Sequence, residues 1–201
     1  MNQQTTLALV RHGETDWNAE RRLQGSSDIA LNDVGRGQVL ATAELLQGQP
    51  WDFVVCSPLS RARESASIIA RTLGIEVSTV VPELVERDYG PAEGMQDGDE
   101  LRALRIPGGF QGAETEADVT ARATAALGRI ATEYPGARVI VVAHGTLIRL
   151  ALSELSGSAI TTITNAGHCL LHHEPSADSA AADAWSISVV NGAPFEPVAV
   201  G

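Results

Sequence analysis

"TLALVRHGETDWN", residues 6–18, is an apolar, β-prone run that stops abruptly at Arg11 and His12. A run without polar alternation is the pattern of a strand buried on both faces, as in a parallel sheet. Residues 53–56 (FVVC) and 139–143 (VIVVA) repeat it, and further strands are expected at 76–81, 168–173 and 185–190. Helical patterns lie between. Residues 33–47 follow Asn32 as N-cap, with Val39, Leu40, Ala43 and Leu46 on one face. Residues 58–73 follow Ser57 as cap and Pro58 in the first turn. Residues 116–134 end at Pro135-Gly136, and 145–155 form another apolar helix. The alternation predicts a three-layer α/β/α fold with a mostly parallel open sheet.

Residues 89–113 break the pattern with six glycines and two prolines, around a short helix near 98–105. A long excursion in a compact domain reads as a lid. Residues 175–184 read as a loose connection. The length of 201 residues fits one domain, 1–201. The start "MNQQTTLALV" has no basic segment and too short an apolar run for a secretory leader, so the cytoplasm is expected. No run suits a bilayer span. Cys56 and Cys169 sit in apolar runs and read as buried free thiols. The net charge of −11 argues against nucleic acid and anionic membrane as partners. All 14 basic residues are arginine, which excludes a phosphate-loop lysine and a Schiff-base lysine.

Three of these strands end in reactive residues. The first runs into Arg11-His12, the second into Ser57-Pro58 and then Arg61, the third into His144-Gly145. Ligand sites of open α/β sheets lie beyond the carboxyl ends of the strands, so two histidines and two arginines should converge there. Arginine forks match phosphate oxygens, and Arg61 sits in a first helical turn, where the dipole also favours an anion. A histidine can supply a nucleophile. The set lacks a carboxylate ligand for a metal and suits a phosphoryl group without one.

The stretch "LVRHGETDWN" is similar to the signature of the histidine phosphatase superfamily, which includes cofactor-dependent phosphoglycerate mutases and many small phosphatases. The resemblance continues through "SPLSRARESA" (57–66), "ELVERDYGPAEG" (83–94), "GAET" (112–115) and "VVAHG" (141–145). It implies that His12 is the nucleophile that becomes phosphohistidine. It implies that Arg11, Arg61 and His144 hold phosphoryl oxygens, that Thr15 and Asn18 add hydrogen bonds, and that Glu86 donates the proton. Gln24 and Gly25 would lie at a substrate-contacting turn, with Gly145 beside the phosphate. Glu86, desolvated and facing a phosphate dianion, should have its pKa raised. The expected partner is a small phosphate ester, with no cofactor and no metal; a homodimer is left open.

Other assignments compete. Glu83 rivals Glu86 as the acid. Arg87 reads as a surface or supporting residue, and Arg102 and Arg105 as lid cations or a solvated face. The cluster "HCLLHH" (168–173) splits its histidines between two strand faces, which suits a late strand better than zinc. A metal-independent phosphomonoesterase is the first reading. A bisphosphoglycerate-dependent mutase is the alternative, disfavoured by a short, net acidic lid. A non-catalytic phospho-ligand module is the third, and it predicts a defect in the catalytic set that the sequence does not have.

Overall fold

A computed structural model describes residues 4–176 and 184–196. The chain runs β1 (Thr5–Arg11), α1 (Asp16–Ala19), α2 (Asp33–Leu46), β2 (Phe53–Cys56), α3 (Ser60–Leu73) and β3 (Val77–Val80). The excursion follows, with α4 (Asp99–Ala103), β4 (Arg105–Ile106) and β5 (Gly109–Phe110). Then come α5 (Glu116–Glu133), β6 (Arg138–Ala143), α6 (Gly145–Ser156), β7 (His168–Glu174), β8 (Ala184–Val190) and β9 (Ala193–Pro194).

Seven strands form one sheet in the order β3-β2-β6-β1-β7-β8-β9. The first four are mutually parallel, and β7 to β9 continue as an antiparallel meander. Strand alternation divides the core. Leu7, Leu9, Val139 and Val141 face α5 and α6. Ala8, Val10, Ile140 and Val142 face α2 and α3. Both faces of β1 and β6 are covered, which is why their sequences are continuously apolar. Truncating Leu9 or Ile140 to alanine is expected to cost about 2–5 kcal/mol.

The helices follow local chemistry. Asn32 caps α2 by accepting from the Gly35 amide at 2.8 Å. Thr115 caps α5 through the Asp118 amide at 3.1 Å. Gly74 ends α3 at φ 69°, a left-handed position that suits glycine. Three expectations need correction. Leu40 is 45% exposed, because one helical step from Val39 carries it off the buried face. α3 starts at Ser60 with Leu59 as its cap and no side-chain cap bond; the Ser57 hydroxyl instead meets the Leu59 amide at 3.4 Å and His144 Nε2 at 2.7 Å. The excursion holds the expected short helix as α4 and, against the loop reading of the rest, a two-stranded hairpin of β4 and β5. Of the expected 175–184 connection, residues 177–183 lie outside the described residues. Cys56 and Cys169 are free and buried. No helix among the described residues is long and apolar enough to cross a membrane.

Candidate active site

β1, β2 and β6 are adjacent and parallel, so Arg11, Ser57 and His144 emerge at the same sheet edge. His12 follows β1 and is pinned by its amide to the Ala143 carbonyl at 3.0 Å. Its Nδ1 stands 2.7 Å from the Gly13 carbonyl. A carbonyl only accepts, so Nδ1 carries the proton and Nε2 keeps its lone pair. Arg61 Nε donates to that lone pair at 3.3 Å. Burial first, then the charges of Arg61 and Arg11, hold the His12 imidazole well below its usual range. The ring is therefore neutral, in the tautomer a nucleophile requires.

His144 is fully buried, with its ring centroid 5.2 Å from that of His12. Its Nε2 lies 2.7 Å from the Ser57 hydroxyl, while its Nδ1 is buried without a partner among the described residues. Burial, followed by Arg61 and His12, pushes its pKa well down. Arg61 is fully buried and fixed by two carbonyls, Nη1 to Ser27 at 2.8 Å and Nη2 to Gly25 at 2.7 Å. Burial draws its pKa down to about 10, so it remains charged at neutral pH. Arg11 donates from Nη1 to the Ile163 carbonyl at 2.7 Å and keeps Nε buried and unpartnered. A side chain at Gly145 would crowd Arg11 Nε at 3.1 Å, so glycine lets the start of α6 approach that guanidinium.

α6 begins at Gly145, and the side chain of its N-cap residue, His144, makes no cap bond. The cap comes from Glu86, sixty residues upstream. Its Oε2 accepts from the Thr146 amide at 2.9 Å and its Oε1 from Leu147 at 3.1 Å and Arg87 at 2.8 Å. A carboxylate suits the positive end of a helix. Tyr89 stands beside it, its hydroxyl 2.6 Å from the Thr146 hydroxyl, its pKa pushed up to about 12 by burial and by Glu86.

A cavity of about 240 Å³ opens at this point, walled by Arg11, His12, Asn18, Gln24, Glu86 and Gly145 among the expected residues. Arg61 and His144 lie behind His12. Thr15 and Gly25, like Arg61 and His144, are not on the wall. Thr15 is buried as the cap of α1, exchanging hydrogen bonds with Asn18. Gly25 lends its carbonyl to Arg61, and a Cβ there would collide with the Arg87 carbonyl. Asn18 Nδ2 donates to Gln24 Oε1 at 3.1 Å, leaving Gln24 Nε2 buried without a described partner.

Arg22, Leu23, Tyr89, Thr146, Arg149 and residues 161–163 complete the wall. Sequence reading missed them. Arg22 and Leu23 adjoin Gln24, and Tyr89 lies inside a recognised stretch. Residues 161–163 carry neither charge nor motif. Glu83 is half-buried and paired with Arg129 at 3.1 Å, away from the cavity. Arg102 is paired with Asp97 and Asp99. Arg87 is 4% exposed, so the surface reading fails: it bonds the Glu114 and Gly108 carbonyls at 2.8 and 3.1 Å. Among the described residues no group of three side chains could hold a metal.

A model of the histidine phosphatase superfamily (branch 1) matches residues 7–186. The chain is 41% identical over 154 residues to an uncharacterized phosphatase PhoE of Bacillus subtilis, covering 76% of this chain and 78% of that one. It is 36% identical over 184 residues to a metal-independent phosphoserine phosphatase of Arabidopsis thaliana, covering 84% and 76%. Phosphoglycerate mutase-like names also occur among its relatives. A solved mycobacterial glucosyl-3-phosphoglycerate phosphatase superposes with a TM-score of 0.81 at 26% identity, covering 95% of this chain and 100% of that one.

Proposed function

The chain belongs to the histidine phosphatase superfamily and is a phosphate monoester hydrolase, and we propose that it acts without a metal through a phosphohistidine on His12. The observation that carries this reading is the 2.7 Å contact of His12 Nδ1 with the Gly13 carbonyl, which leaves Nε2 its lone pair beside the buried Arg61. On substrate binding, Arg61 Nε shifts from Nε2 to a phosphoryl oxygen. The Nε2 lone pair then attacks phosphorus and the ester P–O bond breaks. Glu86, protonated in the substrate complex, gives its proton to the leaving alkoxide. A water then enters, Glu86 takes a proton from it, and its oxygen attacks phosphorus as the N–P bond breaks. Inorganic phosphate leaves and His12 returns to its neutral form.

Charge spreads over three phosphoryl oxygens in such a transfer, so fixed cations supply most of the stabilisation. Arg11 and Arg61 are fixed by backbone carbonyls before substrate arrives. His144, held by Ser57, is the third group assigned to those oxygens, through its unpartnered Nδ1. Asn18 contributes its amide from the cavity wall. Phosphoserine and glucosyl-3-phosphoglycerate, named for two similar proteins, both carry a carboxylate, which favours a phosphorylated acid here.

Brief incubation with labelled substrate should leave label that survives base and is lost in acid. His12→Ala should abolish it. Label on serine, or full turnover by His12→Ala, overturns the mechanism.

A further inference from the structure

The cavity at His12 does not end the cleft. Beyond Tyr89 it meets a second chamber of about 310 Å³ beneath the β4–β5 hairpin, and the two share Leu23, Tyr89 and Arg149 as walls. The first chamber, about 240 Å³, is small beside the roughly 300–1,000 Å³ of ordinary ligand sites. We infer that the substrate's alcohol portion extends past the first chamber and ends in an acidic group, with its carbon skeleton in the second chamber and its acid beside Arg105. This inference rests on the phosphomonoesterase reading of His12.

Charge is the first support. The chain carries a net −11 and only 14 basic residues, yet Arg11, Arg22, Arg87, Arg105 and Arg149 line the two chambers. Most of these are already engaged. Arg87 and Arg149 share Glu116 Oε1 at 3.3 and 3.1 Å. Arg22 is paired with Glu20. Arg105 makes no ion pair among the described residues, and its guanidinium lies 5.6 Å above the Phe110 ring. A stacked, unpaired arginine on the wall of the second chamber is suited to a carboxylate.

Shape is the second. Leu23, Ile106 and Phe110 give the second chamber apolar walls, unlike the phosphate end. The hairpin that carries Arg105 and Phe110 is anchored before any ligand arrives: Arg87 Nη2 donates to the Gly108 carbonyl at 3.1 Å, and the next residue, Gly109, has no room for a Cβ against that guanidinium. A pre-formed wall lowers the ordering cost of binding.

Four esters that vary length and charge independently test this: glycerol 3-phosphate, 3-phosphoglycerate, glucose 6-phosphate and 6-phosphogluconate. Binding to the full-length His12→Ala protein is read by calorimetry. The order is read again as inhibition of wild-type nitrophenyl phosphate turnover, which guards against a folding defect. The long acid, 6-phosphogluconate, should bind about tenfold tighter than either the long neutral or the short acidic ester. Arg105→Gln should erase its margin over glucose 6-phosphate. Phe110→Ala should erode its margin over 3-phosphoglycerate. Equal binding of all four, or a margin that survives Arg105→Gln, overturns the inference. Phosphate release without this order sinks the second chamber alone; the order without release sinks the enzymatic reading and leaves the chamber standing.

Discussion

The Ser57 hydroxyl stands 2.7 Å from Nε2 of His144, and neither side chain reaches solvent. That bond links the end of β2 to the end of β6 and sets the ring orientation of His144. Ser57→Ala would leave a buried nitrogen unpaired at about 1–3 kcal/mol. Urea unfolding should show that loss, and kcat should fall at least tenfold as the ring loses its orientation. A stable Ser57→Ala protein with wild-type kcat would show that His144 needs no such support.

Glu86→Gln should damage poor leaving groups far more than good ones. General acid help is typically worth about 10²–10⁴-fold, and a nitrophenolate leaves with little of it. Alkyl and nitrophenyl phosphates measured side by side decide the matter, and an equal loss on both assigns Glu86 another role.

Arg122 should act through Glu86. It pairs with Glu114 at 2.7 and 2.9 Å and donates to the carbonyls of Glu83, Val85 and Glu86 at 2.8, 2.6 and 3.2 Å. Those bonds hold the turn that presents the carboxylate. Arg122→Met should reproduce the leaving-group dependence of Glu86→Gln in weaker form, and Arg122→Lys should restore part of it. A uniform loss on every ester would reduce Arg122 to a structural role.

Acid should destabilise the fold through its buried imidazoles. His12 and His144 are held below their ordinary pKa, chiefly by burial. Below about pH 6.5 the unfolded chain takes up protons there that the native state refuses, so the stability present above that pH is lost as pH falls. Each histidine should contribute about 1 kcal/mol of loss between pH 6.5 and 5.5. Urea midpoints across that range should decline more steeply in the wild type than in His12→Asn. Parallel declines would place the titration elsewhere.

Phosphate release should outrun isomerisation. Given 3-phosphoglycerate and a trace of its bisphosphorylated cofactor, the excursion over residues 89–113 offers only Arg102, paired to its own aspartates, and Arg105 as cations with which to close over the site and shut out water. Efficient conversion to 2-phosphoglycerate with little free phosphate would move the assignment to the mutases.

The sheet was legible because its central strands are buried on both faces, and a strand such as 139–143 then needs no partner pattern to be recognised. The strand-end residues were legible for the same reason, since each follows such a run directly. What escaped was set across distance. Ser57 looked like a helix cap because serine before proline usually is one; its bond to His144 spans 87 positions. Thr15 stands inside the motif, and its capping of α1 through Asn18 is a local bond that the motif alone does not announce. Residues 161–163 reach the cavity only because β7 returns beside β1, and nothing in their composition signals that.

Because Glu86 is the cap of α6, the proton that the reaction moves and the first turn of a helix share the same atoms. A carboxylate that gains a proton is a poorer acceptor, and the amides of Thr146 and Leu147 lose part of their partner at that moment. Those two backbone N–H groups are therefore built-in reporters: their nitrogen and proton resonances should track the charge on Glu86 through a titration or a trapped intermediate, with no label placed in the cavity itself.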